Sequence, residues 1–385
     1  MSELVMPNIT RVEARTKPSP ELVRRIKDSY QLALQKASLP TNSLLWSSLI
    51  TGKQSDIHEA LMSSDDQAII DKLSDPQSNN LYYGVDNLAK DVIANFTADS
   101  LLKDHVELRS VIDKLVVALG DAPLFNPEGG SRYPYKTRPR PLPVDDVVPI
   151  IDTYFGGALN FPNPFPGELG IATSKGVVSY RAVHAIYQAV LARRYSDTNC
   201  LEIGGGMGRT AYYGRLLGLH YTIIDLPMTI VGQALFLASA LGEDAIWLLG
   251  DTMPRGDRIA LLPPSELQTI KHVDVVLNVD SLTEMGSETA IDYVTWVRQA
   301  CWTFLSINHE ANDFTVHSLC RSLAPNSLRS RNPYLLREGY VEEIFSFGPS
   351  LPSVHASLVS IQESTSWRIT YPLRRLKLSL KQTLD

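Results

Sequence analysis

The sequence predicts an α/β fold: a mainly parallel sheet with helices on both faces, entered from a helical N-terminal region. Three observations carry that prediction. From residue 200 onward, short apolar runs rich in β-branched residues alternate with helical segments. The first run meets the next helix through a glycine-rich turn, "CLEIGGGMGRT" at 200–210. The first 120 residues carry apolar positions at helical spacing and no comparable runs.

Taken in order, "SPELVRRIKDSYQLALQKA" opens with a Ser-Pro entry, and "SDIHEALMSS", "GVDNLAKDVIANFTADSLL" and "VELRSVIDKLVVALG" repeat the helical pattern. These form an expected N-terminal helical domain over 1–120. Over 121–178 the chain turns to proline, glycine and aromatics, as in "NPEGGSRYPYKTRPRPLP" and "FPNPFPGELG", which predicts a linker or lid loop. The helix "SYRAVHAIYQAVLARRY" then leads into the sheet domain expected over 179–366. Its strands are "CLEIG", "YTIID", "AIWLLGD", "VDVVLNVD" and "WTFLSIN", with "MTIVGQALFLASALG" and "SETAIDYVTWVRQA" as intervening helices. "YVEEIFSFG" and "HASLVSIQES" lack a helix between them and predict an antiparallel pair closing one edge. The basic stretch over 367–385 reads as a surface tail.

Composition is that of a soluble globular protein: 44% hydrophobic and 20% charged residues in 385. The formal net charge of −6 gives no global nucleic-acid surface, and no apolar run has the length of a membrane span. Residues 1–20 have charges and prolines where a signal peptide needs an apolar stretch. The three cysteines (Cys200, Cys301, Cys320) have no metal-like spacing and are odd in number, which favours a reducing, cytoplasmic setting.

The glycine turn brings backbone close to a ligand and exposes the N–H groups of a helix start. Glycine at such a turn can serve sterics alone. The acids around it argue for more: Glu202 precedes the glycines, Asp225 ends the next strand, and Asp251 ends "AIWLLGD". Glu202 would repel a pyrophosphate. Asp225 can accept from ribose hydroxyls, and Asp251 from an exocyclic amine. Together they suit a nucleoside bearing a cationic amino-acid arm.

"LEIGGGMGR", "TIIDLP", "LLGD" and "DVVLNVDSLTEM" resemble successive motifs of the class I S-adenosylmethionine-dependent methyltransferases. "GVVSYR", "NVDSLTEM", "FLSINHEAN" and "RNPYLLREGYVEEIF" resemble, more narrowly, the bacterial family named as sugar O-methyltransferases, over about residues 75–365. The resemblance implies a Rossmann-like, seven-stranded sheet with an antiparallel edge strand, and S-adenosyl-L-methionine as cofactor. It implies that Glu202, Gly204, Gly205, Gly206 and Gly208 lie against the cofactor's amino-acid arm and sugar. Asp225, followed by Leu226, would hold the ribose; Asp251 and Thr252 would border the adenine; Asn278 to Ser281 would face the sulfonium.

Methyl transfer to a hydroxyl is an in-line displacement in which the protein positions two atoms and removes a proton. His309, in "SINHEAN" at a strand's carboxyl end, is the candidate base, with Glu310 beside it and Asp280 in "VDSLTEMG". Asn308 to Glu310 could equally just end a strand. Mg²⁺ held by Asp280 and Glu284 is a rival to metal-free base catalysis, which is preferred, and no metal site is assigned. Arg181 is a candidate partner for the cofactor's carboxylate or a solvated helix-start residue. Arg132, Lys136, Arg138 and Arg140 form either a solvated linker or a clamp for an anionic acceptor, and Tyr133, Tyr135, Phe161 and Phe165 are candidates to stack on a sugar ring. The expected partner is a small-molecule acceptor, a sugar or glycoside, with no nucleic acid and no membrane; a homo-oligomer is compatible with the sequence. The rivals are another small-molecule acceptor (a polyketide phenol or an amine), a nicotinamide-dependent oxidoreductase, which would use Asp225 equally well, and a non-catalytic binding protein.

Overall fold

The computed structural model describes residues 9–36, 52–76, 78–86, 97–122 and 143–348. The cations and tyrosines expected over 131–140, the strand expected over 355–364 and the basic tail lie outside these residues. The N-terminal region runs as strand β1 (Ile9–Arg11) and helices α1 (Pro20–Lys36), α2 (Ser55–Met62), α3 (Asp66–Ser74) and α4 (Ala98–Leu119). The Ser19 hydroxyl accepts the Leu22 N–H at 3.1 Å, the cap that the Ser-Pro entry calls for. Thr97 and Ser100 cap α4 reciprocally, and Gly120 in the left-handed region ends it.

The stretch read as linker is more structured than its composition suggests. It contains α5 (Val144–Tyr154), β2 (Leu169–Thr173) and β3 (Gly176–Val178), and the two strands join β1 in a three-stranded antiparallel sheet. Pro149 inside "VDDVVPIIDTY" hides the helical period of α5. The chain continues through α6 (Tyr180–Tyr195), β4 (Asn199–Ile203), α7 (Arg209–Leu216), β5 (His220–Ile224), α8 (Pro227–Leu241), β6 (Ile246–Leu248) and β7 (Ile259–Leu262). It finishes with β8 (Val273–Val279), α9 (Ser287–Ala300), β9 (Cys301–His309), α10 (Val316–Leu323), β10 (Leu328–Pro333) and β11 (Tyr340–Ser346).

The main sheet is Rossmann-like and among the described residues has eight strands, in the order β10-β11-β9-β8-β4-β5-β7-β6. All pairs from β9 to β6 are parallel. β11 is antiparallel to both its neighbours, β9 and β10. Among the described strands β11 is therefore internal, and β10, "LRSRNP", lies at the edge. The apolar runs of β4, β5, β7 and β8 are buried nearly throughout, as strands covered on both faces must be.

One difference bears on function. The strand beside β5 is β7, "IALL", whereas "AIWLLGD" supplies β6, one place further out. Residues 1–346 cluster as one unit, and the buried side chains of α1, α4, α6 and α8 belong to one hydrophobic core. Among the described residues the N-terminal helices therefore share a core with the helices of the sheet. No described helix is long and apolar enough to cross a membrane.

Candidate active site

Strand order reverses between β4 and β8, the place where open parallel sheets leave a crevice at their carboxyl ends. A cavity of about 1000 Å³ opens there. Its wall includes Gly204, Gly206, Asp225, Leu226, Asp280 and Ser281 from the strand ends, with Arg181 from the start of α6.

The glycine turn fits that wall for steric reasons. Gly204 has φ +75°, and a Cβ there would sit 2.3 Å from the Ser281 hydroxyl oxygen. That hydroxyl donates to the Ile203 carbonyl at 2.8 Å, so the end of β8 is tied to the end of β4. Gly205 backs onto Ile223, and Gly208, at φ +93°, is the residue from which α7 starts.

Asp225 is the acid that the cavity uses. Its Oδ1 accepts the Leu226 N–H at 2.8 Å and its Oδ2 the Gln233 amide at 2.7 Å. Burial pushes its carboxyl up to about 7, against these donors. Asp251 is elsewhere. It forms a buried pair with Arg25 of α1, at 2.8 Å, and its carboxylate also accepts the Leu248 N–H. Neither Asp251 nor Thr252 lines the cavity; the rim beyond β5 is instead Pro263 to Gln268, which follows β7. The expected adenine-side acid is thus a structural anchor, displaced because its strand is the outer one.

Glu202 is also corrected. It lies beneath the turn rather than on the cavity wall, is 2% exposed, and accepts the Tyr221 hydroxyl at 3.0 Å. Burial pushes its carboxyl up to about 8. Asn278 is likewise internal: its amide donates to the Ile203 carbonyl and the Ser281 hydroxyl, and its carbonyl accepts from Asn308.

At the other end of the cavity, Asp280 has φ +59°, an uncommon backbone state for a residue with a side chain and one that recurs at functional sites. Its Oδ2 accepts the Tyr340 hydroxyl at 2.7 Å and faces Arg337 Nη1 at 3.3 Å. Its Oδ1 faces His309 Nε2 at 3.5 Å. Glu284, on the single turn after β8, also lines the cavity; burial, reinforced by the Asp280 charge, pushes its carboxyl up to about 7. Ligand atoms of Asp280, Glu284 and His309 all lie within 4.8 Å of one another.

The ring orientation counts against His309 as the base. Its Nδ1 accepts the Ala311 N–H at 3.2 Å, so the neutral ring carries its proton on Nε2, towards Asp280. Glu310 turns away from this group and pairs with Arg331 at 2.6 Å. Of the acids near His309, Asp280 and Glu284 line the cavity and Glu310 does not.

Sequence reading did not foresee the wall built by Gly84 and Val85, whose segment packs over the glycine turn. That segment is anchored twice. The Tyr82 hydroxyl donates to the Gly232 carbonyl at 3.0 Å, and Asp86 pairs with the buried Arg209 at 3.2 Å. Arg209 also reaches Glu168 at 2.9 Å. A buried arginine in the first turn of a helix, where the dipole disfavours a cation, is the signal that could have revealed this anchor.

No family model matches the sequence, and no curated protein matches it. Solved structures do. The glycopeptide N-methyltransferase MtfA complexed with (S)-adenosyl-L-methionine is 14% identical, with a TM-score of 0.34, covering 42% of this chain and 92% of that one. An O-methyltransferase family 2 protein from Planctomyces limnophilus in complex with apigenin is 13% identical, with a TM-score of 0.31, covering 43% and 58%. A SAM-dependent methyltransferase from Agrobacterium tumefaciens is 12% identical, with a TM-score of 0.31, covering 47% and 67%.

Proposed function

We propose that the chain is an S-adenosylmethionine-dependent O-methyltransferase acting on a hydroxyl of a sugar or glycosylated metabolite. The observation that carries this reading is one cavity walled by the glycine turn, Asp225 and the paired acids Asp280 and Glu284. The sugar acceptor rests on the resemblance of "NVDSLTEM", "FLSINHEAN" and "RNPYLLREGYVEEIF" to the sugar O-methyltransferases.

In this reading S-adenosylmethionine supplies an already activated methyl group. Asp225 accepts the ribose hydroxyls, the residues from Pro263 to Gln268 border the adenine, and Arg181 takes the carboxylate of the amino-acid arm. Glu284 removes the acceptor's proton, since a carboxyl held near 7 is matched to general-base work at neutral pH. Beside it, Asp280 accepts the Tyr340 hydroxyl and faces Arg337, with His309 Nε2 at 3.5 Å from its other oxygen.

A second reading has one supporting observation, the convergence of Asp280, Glu284 and His309. Two carboxylates and an imidazole suit a divalent cation that would lower the acceptor hydroxyl's pKa. The Nε2 proton directed at Asp280 opposes it, so the metal-free route is preferred.

Calorimetric titration with S-adenosylhomocysteine and, separately, NAD⁺, each with and without Mg²⁺, tests the proposal. Micromolar binding of the homocysteine product without binding of NAD⁺ is expected. Binding of NAD⁺ alone would make the glycine turn a dinucleotide site. Methyl transfer that disappears with chelator and returns with Mg²⁺ would select the metal reading.

A further inference from the structure

Beside the glycine turn lies a fully buried polar side chain that the chemistry above does not use. Gln233 sits in α8, "PMTIVGQALFLASAL", and is 0% exposed. Its Nε2 donates to the Gly206 carbonyl at 3.0 Å and to Asp225 Oδ2 at 2.7 Å. Its Oε1 is buried with no hydrogen-bond partner. An amide turned the other way would set that oxygen against a carbonyl and a carboxylate, so the two donated bonds fix the orientation. Leaving a buried acceptor unpaired costs free energy, and the charge-assisted bond to Asp225 is what offsets it.

The two acceptors, Gly206 (φ +53°) in the glycine turn and Asp225 at the end of β5, both line the cavity. In the proposed cofactor placement they lie at the amino-acid arm and the ribose. The same turn of α8 receives the N-terminal segment: the Tyr82 ring packs on Gly232, where a Cβ would lie 2.8 Å from it.

We infer that Gln233 is a positioning residue for cofactor binding, clamping the glycine turn to Asp225 and holding Asp225 in its ionised, hydrogen-bond-accepting form. The inference rests on the proposed cofactor and goes beyond it by assigning a residue that need not touch the ligand. Asp225 accepts from two ribose hydroxyls most strongly as a carboxylate, and burial already holds its carboxyl at about 7. The titratable groups that face it are Glu202 on β4 and Tyr293 on α9, both of which the Asp225 charge helps to keep protonated. Lys36 and Glu266, paired with each other, and Arg181 line the same cavity. Removing the Gln233 donor raises the Asp225 carboxyl further, so the affinity lost at neutral pH returns at higher pH. Replacing Gln233 by Glu does the reverse, because a second carboxylate faces Asp225 and the Gly206 carbonyl once it ionises.

The test is calorimetry with S-adenosylhomocysteine for the wild type, Gln233→Met and Gln233→Glu, over pH of about 5.5 to 9, with thermal melts of each. The wild-type affinity is expected to rise with pH through about 7. Gln233→Met is expected to bind about tenfold more weakly at neutral pH and to recover at a higher midpoint. Gln233→Glu is expected to weaken as pH rises. A midpoint that stays at the wild-type value in Gln233→Met, or a loss that no pH restores in a variant that still melts cooperatively, overturns the inference and leaves the cofactor reading standing. A wild type that binds no S-adenosylhomocysteine at any pH removes the cofactor reading, and this inference falls with it.

Discussion

Asp225 and Asp251 look alike in the sequence, each following an apolar run at the end of a predicted strand. One faces the cavity; the other is spent on an internal ion pair with Arg25. What separates them is sheet order. β5 lies beside β4 at the switch point, whereas β6 is the outermost strand and its end meets α1. Residue type at a strand end nominates a ligand contact, and the strand's place in the sheet decides it.

The largest effect should come from Glu284, a carboxylate at the other end of the cavity. Glu284→Gln is expected to lower kcat by about 10²–10⁴-fold with little change in S-adenosylhomocysteine affinity, and wild-type turnover should rise as pH passes about 7, because only the ionised carboxylate accepts a proton. A kcat–pH profile that His309→Ala abolishes and Glu284→Gln leaves intact would return the base to His309. Next, Asp251→Ala strands the buried Arg25 and should cost about 3 kcal/mol of stability in denaturant melts, while the folded fraction still binds S-adenosylhomocysteine. Lost binding with unchanged stability would put Asp251 back at the adenine.

Gly204→Ala should cost about 1–2 kcal/mol in backbone strain alone and displace Ser281, so cofactor affinity should fall by about tenfold. The smallest effect belongs to Glu310→Gln. Its pair with Arg331 is about one-third exposed on both sides, and removing it should change stability by less than about 1 kcal/mol and leave turnover as it is. A large loss of turnover would restore Glu310 to the site.

These contrasts show which parts of the site were legible. "LEIGGGMGR" and "TIIDLP" each put strand, turn and ligand contact in consecutive residues, so the β4 and β5 ends could be read locally. "AIWLLGD" and "RIALLPP" are two short apolar runs of the same kind, and which of them pairs with β5 depends on non-local packing that no period encodes. Glu202 has the right place in the motif, but its side chain alternates to the inside of β4, against Tyr221. Glu284 stood only four residues beyond Asp280, yet an acid ahead of a helix has a sufficient bland explanation in the dipole. Gln233 did leave a trace: it is the only amide in a helix whose other polar residues are the hydroxyls Thr229 and Ser239, and burial from Met228 to Ala238 turns an amide there into a question. The segment around Tyr82 left less, because its partners Gly232 and Gly206 lie more than a hundred residues away.

The most direct measurement is the S-adenosylhomocysteine dissociation constant of Asp225→Ala beside that of the wild type, by calorimetry. A loss of about a hundredfold or more, in a variant that still melts cooperatively, is the predicted result. Equal affinity in the two proteins would contradict the account, because the cavity at the β4 and β5 ends would then not be where the cofactor binds.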